Sequence, residues 1–422
     1  MKRIKNVIVI LIGINLLFVS NQAIAAVKAG ATCSKLGATS TYSGKKYTCI
    51  KSGKKLVWDK GVLVSKPKVA ATPTASPSPS ASSTPAQPLP SSPTASPTPT
   101  VSTFVPPTIP KSFQELEGNL SGIIYGAWLK AGDQIRNSPV NIRNIQVFSG
   151  PNTVPGNPDP LVPIKLASQL YSNFEPAKNV YVIEMASGDK DWAQKIFDQY
   201  ADVVYGNVKT AVSEICDTSD CAHGQAHRTK NFDGILLIGK APNYKGTGKA
   251  RPEVLTGMDY SHEYIHTIQT SIGKDRATLP PVWFKEGGAT YASMAIAMTN
   301  SYSDYVTQRN IYLQQHYRNS ASYTASWVEN FINPYKTFSE NSFVYDHYVK
   351  YPRWDPYAIG CIVSEIFTVI KGPDAAMNIY KRLGQGQTFP GAFQAEFGIS
   401  WSDAVPYISR AISAQLNQQI KS

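Results

Sequence analysis

Residues 261–270 read Ser-His-Glu-Tyr-Ile-His-Thr-Ile-Gln-Thr, and residues 281–291 read Pro-Val-Trp-Phe-Lys-Glu-Gly-Gly-Ala-Thr-Tyr. Four residues turn an α-helix by about 400°, which leaves His262 and His266 about 40° apart on one face. Two imidazoles at that spacing can grip one metal ion, and Glu263 stands beside the first of them, placed to take a proton from a water at that ion. Gly273 can end this helix and Pro280-Pro281 can set up the next. A returning helix then brings Glu286 back to the imidazoles, while Gly287, Gly288 and Ala289 let the two backbones approach. A carboxylate in so apolar a stretch is expensive to bury unpaired, and a cation compensates it. Imidazole and carboxylate donors suit Zn²⁺, and three protein ligands with an open fourth position are the pattern of a catalytic site. The sequence therefore nominates His262, His266 and Glu286 as metal ligands, Zn²⁺ as cofactor and Glu263 as general base.

Upstream of this pair the chain alternates element types. A helical stretch around Phe113–Ile135 precedes a strand over Asn141–Ser149, a helix around Ile164–Phe174, a strand over Asn179–Met185 and a helix near Trp192–Tyr200. The run Gly234–Gly239, Gly-Ile-Leu-Leu-Ile-Gly, reads as a further strand, buried or half-buried. Between them, His223 and His227 are also four apart, but Gly224 interrupts them and no acid lies between, so they read as a surface loop. Downstream the pattern is nearly all helix. From Tyr357 to Lys371 the residues Ile359, Ile362, Val363, Ile366, Phe367 and Ile370 recur at helical spacing, and Cys361 on that helix reads as a buried small hydrophobe. There is no internal repeat.

The His-Glu-x-x-His motif, nineteen intervening residues and then Glu resemble the gluzincin metallopeptidases, the group that includes thermolysin and the aminopeptidase N type. Trp283–Ser293, WFKEGGATYAS, is similar to the Trp-x-x-Glu-Gly-x-Ala helix of the aminopeptidase N branch. Asp355–Phe367, DPYAIGCIVSEIF, resembles the Pro-Tyr-x-x-Gly helix start of that branch. Its tyrosine hydrogen-bonds the substrate carbonyl as an oxyanion develops, and the resemblance gives that role to Tyr357. Gly384–Asp403 is similar to a helical tail common in such domains. The resemblance spans about Asp259 to Ser402 and implies an α+β, two-lobed catalytic domain, with a mixed β-sheet N-terminal lobe and a mainly α-helical C-terminal lobe. It implies zinc-dependent hydrolysis of peptide bonds in a peptide or protein substrate.

Two departures from the family narrow this. No Gly-x-Met-Glu-Asn segment lies upstream, so the pocket for a free substrate N-terminus has no counterpart, and an endopeptidase is favoured over an aminopeptidase. Ser293 stands where the branch often has an acid seven positions after the ligand glutamate. Orientation of a ligand histidine must then come from elsewhere, with Asp259 or a backbone carbonyl as candidates. Gly234–Gly239 is the candidate edge strand along which an extended peptide adds through backbone hydrogen bonds. The alternative reading is a non-catalytic envelope-binding protein that retains the metal site.

The 422 residues carry a formal net charge of +12, and its distribution decides what it means. Residues 1–25 hold +3 and have a basic start, an apolar run from Val7 to Val19 and Ala23-Ile24-Ala25, the three-part pattern of a secretory signal peptide. Residues 26–66 hold nine Lys against a single Asp59, with Cys33 and Cys49, and read as a small disulfide-linked β module with a hairpin turning at Ser52-Gly53. Its lysines and aromatic residues make an anionic cell-wall polymer the candidate partner. Residues 67–110 contain 13 Pro and 17 Ser or Thr, too little apolar side chain to repay ordering, and read as a disordered linker reaching about 130 Å. Lys68 takes the last charge, so residues 111–422, the metallopeptidase-like domain, are neutral overall. That excludes a uniformly basic protein that coats nucleic acid. With no later apolar run long enough to span a bilayer, the expectation is a secreted or envelope-associated protein with no membrane span in its mature form. Cys216 and Cys221 fit a local disulfide in that setting.

Overall fold

The computed structural model describes residues 30–33, 36, 39–42, 45–53, 55–63, 104–153, 158–202, 210–216, 221, 223–240, 253, 256–316, 323–333 and 354–420. The proposed signal peptide and most of the Pro/Ser/Thr-rich segment lie outside them. The described residues fall into two compact units, one within 30–63 and one spanning 104–420.

In the first unit, β1 (Thr39–Tyr42), β2 (Lys45–Ser52) and β3 (Lys55–Trp58) pair antiparallel in that order, and β4 (Val62–Leu63) pairs with β2. So short a chain has little apolar surface to bury, and the Cys33–Cys49 disulfide supplies the missing constraint. Cys49 and Tyr47 are buried. Gly61 has φ +68, and a Cβ there would lie 2.7 Å from the Tyr47 ring, so only glycine lets the chain turn over that ring. Asp59 is used internally, its Oδ1 accepting from the amides of Thr48 and Gly61 at 3.0 and 2.9 Å.

The second unit begins earlier than the sequence implied. Residues 104–110, assigned above to the linker, lie against the domain: Phe104 packs on Tyr125 and Tyr302, and Ile109 joins the core. The helix expected from Phe113 starts only at Leu120, as α1 (Leu120–Asn137). Then come β5 (Asn144–Ser149), α2 (Leu161–Leu170), β6 (Asn179–Met185), α3 (Lys190–Tyr200), α4 (Ala211–Ile215), β7 (Gly224–Arg228) and β8 (Gly234–Gly239). The sheet order is β5-β6-β8-β7, parallel except for the antiparallel β7–β8 pair. Alternation along β6 and β8 divides the burial between two faces. Val180, Val182, Leu236 and Ile238 face the main core, while Ile183, Met185, Ile235 and Leu237 pack with Ala193 and Phe197 of α3 and with α4. The Cys216–Cys221 disulfide closes that second cluster.

Two expectations are corrected here. Gly234–Gly239 is not an edge strand: β8 lies between β6 and β7 and all six of its residues are buried, as a run apolar on both faces requires. The edges among the described strands are β5 and β7, and β7 contains His227 and Gly224 in place of the expected loop. His227 sits edge-on against Phe197, with ring centroids 4.9 Å apart.

The remainder is helical: α5 (Met258–Gly273), α6 (Val282–Ala297), α7 (Tyr302–His316), α8 (Ala325–Ile332), α9 (Asp355–Lys371), α10 (Ala375–Gly384), α11 (Phe389–Phe397) and α12 (Trp401–Ile420). Every residue of α6 except Lys285 and Ala297 is buried, the signature of a central helix. Its neighbour α9 touches it backbone to backbone. A Cβ on Gly287 would lie 2.2 Å from the Gly360 Cα, and one on Gly360 would lie 1.8 Å from the Trp283 carbonyl oxygen. A buried bidentate pair, Arg309 to Glu365 at 2.6 Å for both bonds, ties α7 to α9, with Tyr305 donating to the same carboxylate at 2.7 Å. The main core runs unbroken from Phe113 to Leu416.

Two predictions follow from this packing. In an open helix Gly→Ala gains up to about 1 kcal/mol, but Gly360→Ala forces two backbones apart and is expected to lose about 2 kcal/mol or more. A melting temperature at or above that of the wild type would contradict the contact. Burial pushes His227 down to about 4, helped by nearby Lys285 and opposed by Glu214. The unfolded chain, with a histidine near 6.5, then binds the extra proton first, so this stability is whole above pH 6.5 and is lost as pH falls towards 4, by up to about 3 kcal/mol. Urea unfolding at pH 7 and pH 4.5 should show a shallower decline for His227→Phe than for wild type, and parallel declines would refute the assignment.

Candidate metal centre

Helix α5 starts where Gly257, at φ 76, takes the left-handed turn that leads into Met258. Its first turn is fixed to the sheet by a buried network. Lys240 Nζ donates to Tyr260 Oη at 2.6 Å, and Tyr260 donates to Glu184 Oε1 at 2.5 Å. Ser149 Oγ donates to Glu184 Oε2 at 2.6 Å, and Lys240 Nζ lies 3.4 Å from Glu184 Oε1. The charge pair is buried, but each partner also has a hydrogen bond, the condition under which such a pair is tolerated. Two turns further on, Thr267 presses on the start of β8, where a Cβ on Gly234 would stand 2.4 Å from the threonine methyl. Both ends of the His-Glu-x-x-His segment are thus seated on the sheet.

Helices α5 and α6 bring together the three residues nominated as ligands. His266 Nε2 is 3.1 Å from His262 Nε2 and 3.1 Å from Glu286 Oε2, and His262 Nε2 is 3.4 Å from the same oxygen. His266 and Glu286 are buried and His262 is nearly so. Burial works against ionisation of Glu286, but Lys285, 3.1 Å from Oε1, and the two histidines outweigh it and hold the carboxyl well below the usual range. A triangle of nitrogen and oxygen electron pairs facing one another is repulsive unless protons or a cation occupy its centre. The cluster can hold a metal ion, and the convergence of its donors is the observation that fits one.

Glu263 projects next to this triangle, 7% exposed. Burial pushes its carboxyl up to about 7, His262 lowers it, and Glu286 and Asp259 raise it further. The edge strand reaches it at Gly224, where a Cβ would lie 2.8 Å from Glu263 Oε1. Any larger residue at 224 would contact the carboxylate. Tyr357 stands in the first turn of α9 after Pro356, which the first turn of a helix accommodates. Its ring lies 6.1 Å from that of His262 and nearly parallel to it, with Trp354 packed on its other side at 5.3 Å.

All five nominated residues, His262, Glu263, His266, Glu286 and Tyr357, therefore meet in one place, carried by α5, α6 and α9. The sequence missed two participants. Gly224 was read as a break between two histidines and is the point where the edge strand approaches Glu263. Gln269, one turn after His266, has Oε1 2.8 Å from His266 Nδ1 and Nε2 3.3 Å from the Lys285 carbonyl. Its signal was a polar residue at i+3 from a ligand on a helix face that is otherwise buried. The expected support from Asp259 or a backbone carbonyl is thus supplied, for His266, by a side-chain amide.

Equilibrium dialysis of the intact chain followed by elemental analysis should find one equivalent of divalent metal. His266→Ala and Glu286→Ala should each weaken binding by more than the roughly 10–100-fold that loss of a supporting bond costs. Unchanged stoichiometry and affinity in both would place the metal elsewhere. No family model matches the chain, and it matches no curated protein and no solved structure, so the reading of this centre rests on its own geometry.

Proposed function

We propose that the chain is a secreted zinc-dependent endopeptidase of gluzincin type. The observation that carries this reading is the triangle of His262, His266 and Glu286 with the buried carboxyl of Glu263 beside it. The three donor atoms, 3.1, 3.1 and 3.4 Å apart, are close enough for one ion to be held by all of them, and two imidazoles with a carboxylate are a donor set that suits zinc. Bound there, zinc would supply Lewis-acid polarisation of a carbonyl and a more acidic water.

The chain's own residues account for the rest. Glu263, held near neutrality by burial, accepts a proton from the attacking water and returns it to the leaving amine. The Tyr357 hydroxyl donates to the carbonyl oxygen as negative charge grows on it, an interaction stronger in the transition state than before it. An extended substrate adds alongside β7, whose outer side pairs with no other described strand and which replaces the expected β8 in this role, and the side-chain-free Gly224 lets its backbone pass close to Glu263.

Two disulfides, and the absence among the described residues of any helix long and apolar enough to cross a membrane, are consistent with a location outside the cell. In the N-terminal unit Lys51, Lys55 and Lys60 are exposed, while Asp59 is occupied by backbone amides. This supports an anionic polymer as the partner of that unit.

Casein or a quenched peptide library tests the reading. Wild type should cleave, chelator should abolish cleavage, Glu263→Gln should lose at least about 10²-fold in kcat, and Tyr357→Phe about 10²-fold with KM little changed. A metal-loaded wild type that cleaves nothing would favour the non-catalytic binding protein instead.

A further inference from the structure

We infer that Gln269 fixes the tautomer of His266 and, through one amide, joins the two helices that carry the metal donors. This rests on the metal site proposed above, and one group near it has a hydrogen-bonding role that is beyond choice. The Lys285 carbonyl can only accept. The Gln269 group 3.3 Å from it must therefore be the amide nitrogen, which turns the amide oxygen towards His266. That oxygen also only accepts, so the ring nitrogen 2.8 Å away, Nδ1, carries the proton. A neutral imidazole has one N–H, and Nε2 is left with a bare lone pair aimed at Glu286 Oε2 and His262 Nε2, each 3.1 Å away.

The placement of the amide gives it a second effect. Lys285 immediately precedes Glu286, so the bond from Gln269 on α5 fastens α6 at the residue next to its own ligand. Gln269 is 3% exposed, which excludes water as a competing partner and makes each bond costly to break. One side chain thus sets the ring orientation of one ligand and the position of the backbone that bears another.

The test uses the intact chain and two substitutions. Gln269→Met keeps an unbranched side chain of similar size but neither hydrogen bond. Gln269→Glu keeps an acceptor for His266 Nδ1–H and loses the donor to Lys285. Zn²⁺ affinity is measured by competition with a chromophoric chelator, and the metal-free melting temperature by circular dichroism. The expected result is a 10–100-fold weaker Kd for Gln269→Met, a smaller loss for Gln269→Glu, which keeps the acceptor for His266 but not the bond to Lys285, and a metal-free Gln269→Met protein that still melts cooperatively, below wild type. A Gln269→Met protein with the wild-type Kd would overturn the inference. So would a Gln269→Met protein that fails to fold, or two variants equally weakened, since either marks a packing role only. A wild type that binds no Zn²⁺ would be a different failure: it would remove the metal site itself, and the inference with it.

Discussion

Contact between two helix backbones, at Gly287 of α6 and Gly360 of α9, sets the geometry on which the candidate site depends. Glu286 immediately precedes the first glycine and Tyr357 lies one turn before the second. The distance at which these helices cross therefore places a metal donor and a hydroxyl donor at once. With a Cβ on Gly360 only 1.8 Å from the Trp283 carbonyl, no side chain is tolerated at the crossing. The other helix of the site, α5, is located independently, by the Lys240–Tyr260–Glu184 network on the sheet and by Thr267 against Gly234. The site is where these two separately anchored bodies of structure meet.

Holding three electron-pair donors and a second carboxyl in a nearly dry place is unfavourable by itself. Desolvation alone would neutralise both glutamates, and the structure treats them differently. Glu286 has Lys285 and two imidazoles around it and stays ionised. Glu263 is pushed up to about 7 chiefly by burial, because the lowering by His262 is countered by Glu286 and Asp259. Two carboxyls of similar burial are thereby driven apart in acidity by their neighbours, the arrangement that separates a ligand from a proton carrier. The same logic limits what may surround them. Arg309 of α7 and Glu365 of α9, also fully buried, are paired bidentately two turns beyond Tyr357, so that buried charge is neutralised away from the site.

Most of this was legible in the sequence because it is local. The spacing of His262 and His266 on one helix, the break marked by Gly273 and Pro280-Pro281 before α6 and the apolar face of α9 are statements about neighbours along the chain, and each held. What was not legible depends on which strand ends up beside which. Gly234–Gly239 was expected at the edge, although six residues apolar on both faces belong in the interior, and that signal was available. Gly224–Arg228 is polar, contains a glycine and pairs on one side only among the described strands, so nothing in its pattern separates it from a loop. The early start of the domain at residues 104–110 was hidden for a similar reason. A Pro- and Thr-rich segment reads as linker until Phe104 and Ile109 find an aromatic cluster and a helix groove to fill. Gln269 left only the trace of a buried polar residue at i+3 from His266, because the bond that sets its orientation, to the Lys285 carbonyl, crosses to another helix.

The choice of an amide at position 269 has a physical consequence of its own. Two neutral imidazoles and one carboxylate around a divalent cation leave a net charge of about +1 at the centre, and Glu263 already stands beside it. A carboxylate orienting His266 would bring a further negative charge into a region with little water to screen it, where charges interact strongly. That would stabilise the cation at the expense of its pull on a carbonyl oxygen or a water. The amide gives the same direction to the imidazole without the charge, and it can do so only because the Lys285 carbonyl dictates which of its ends faces the ring. With an ion bound, orientation and electrophilicity would be set by different groups, the first by a hydrogen-bond chain that begins in the main chain of α6, the second by the count of ionised donors.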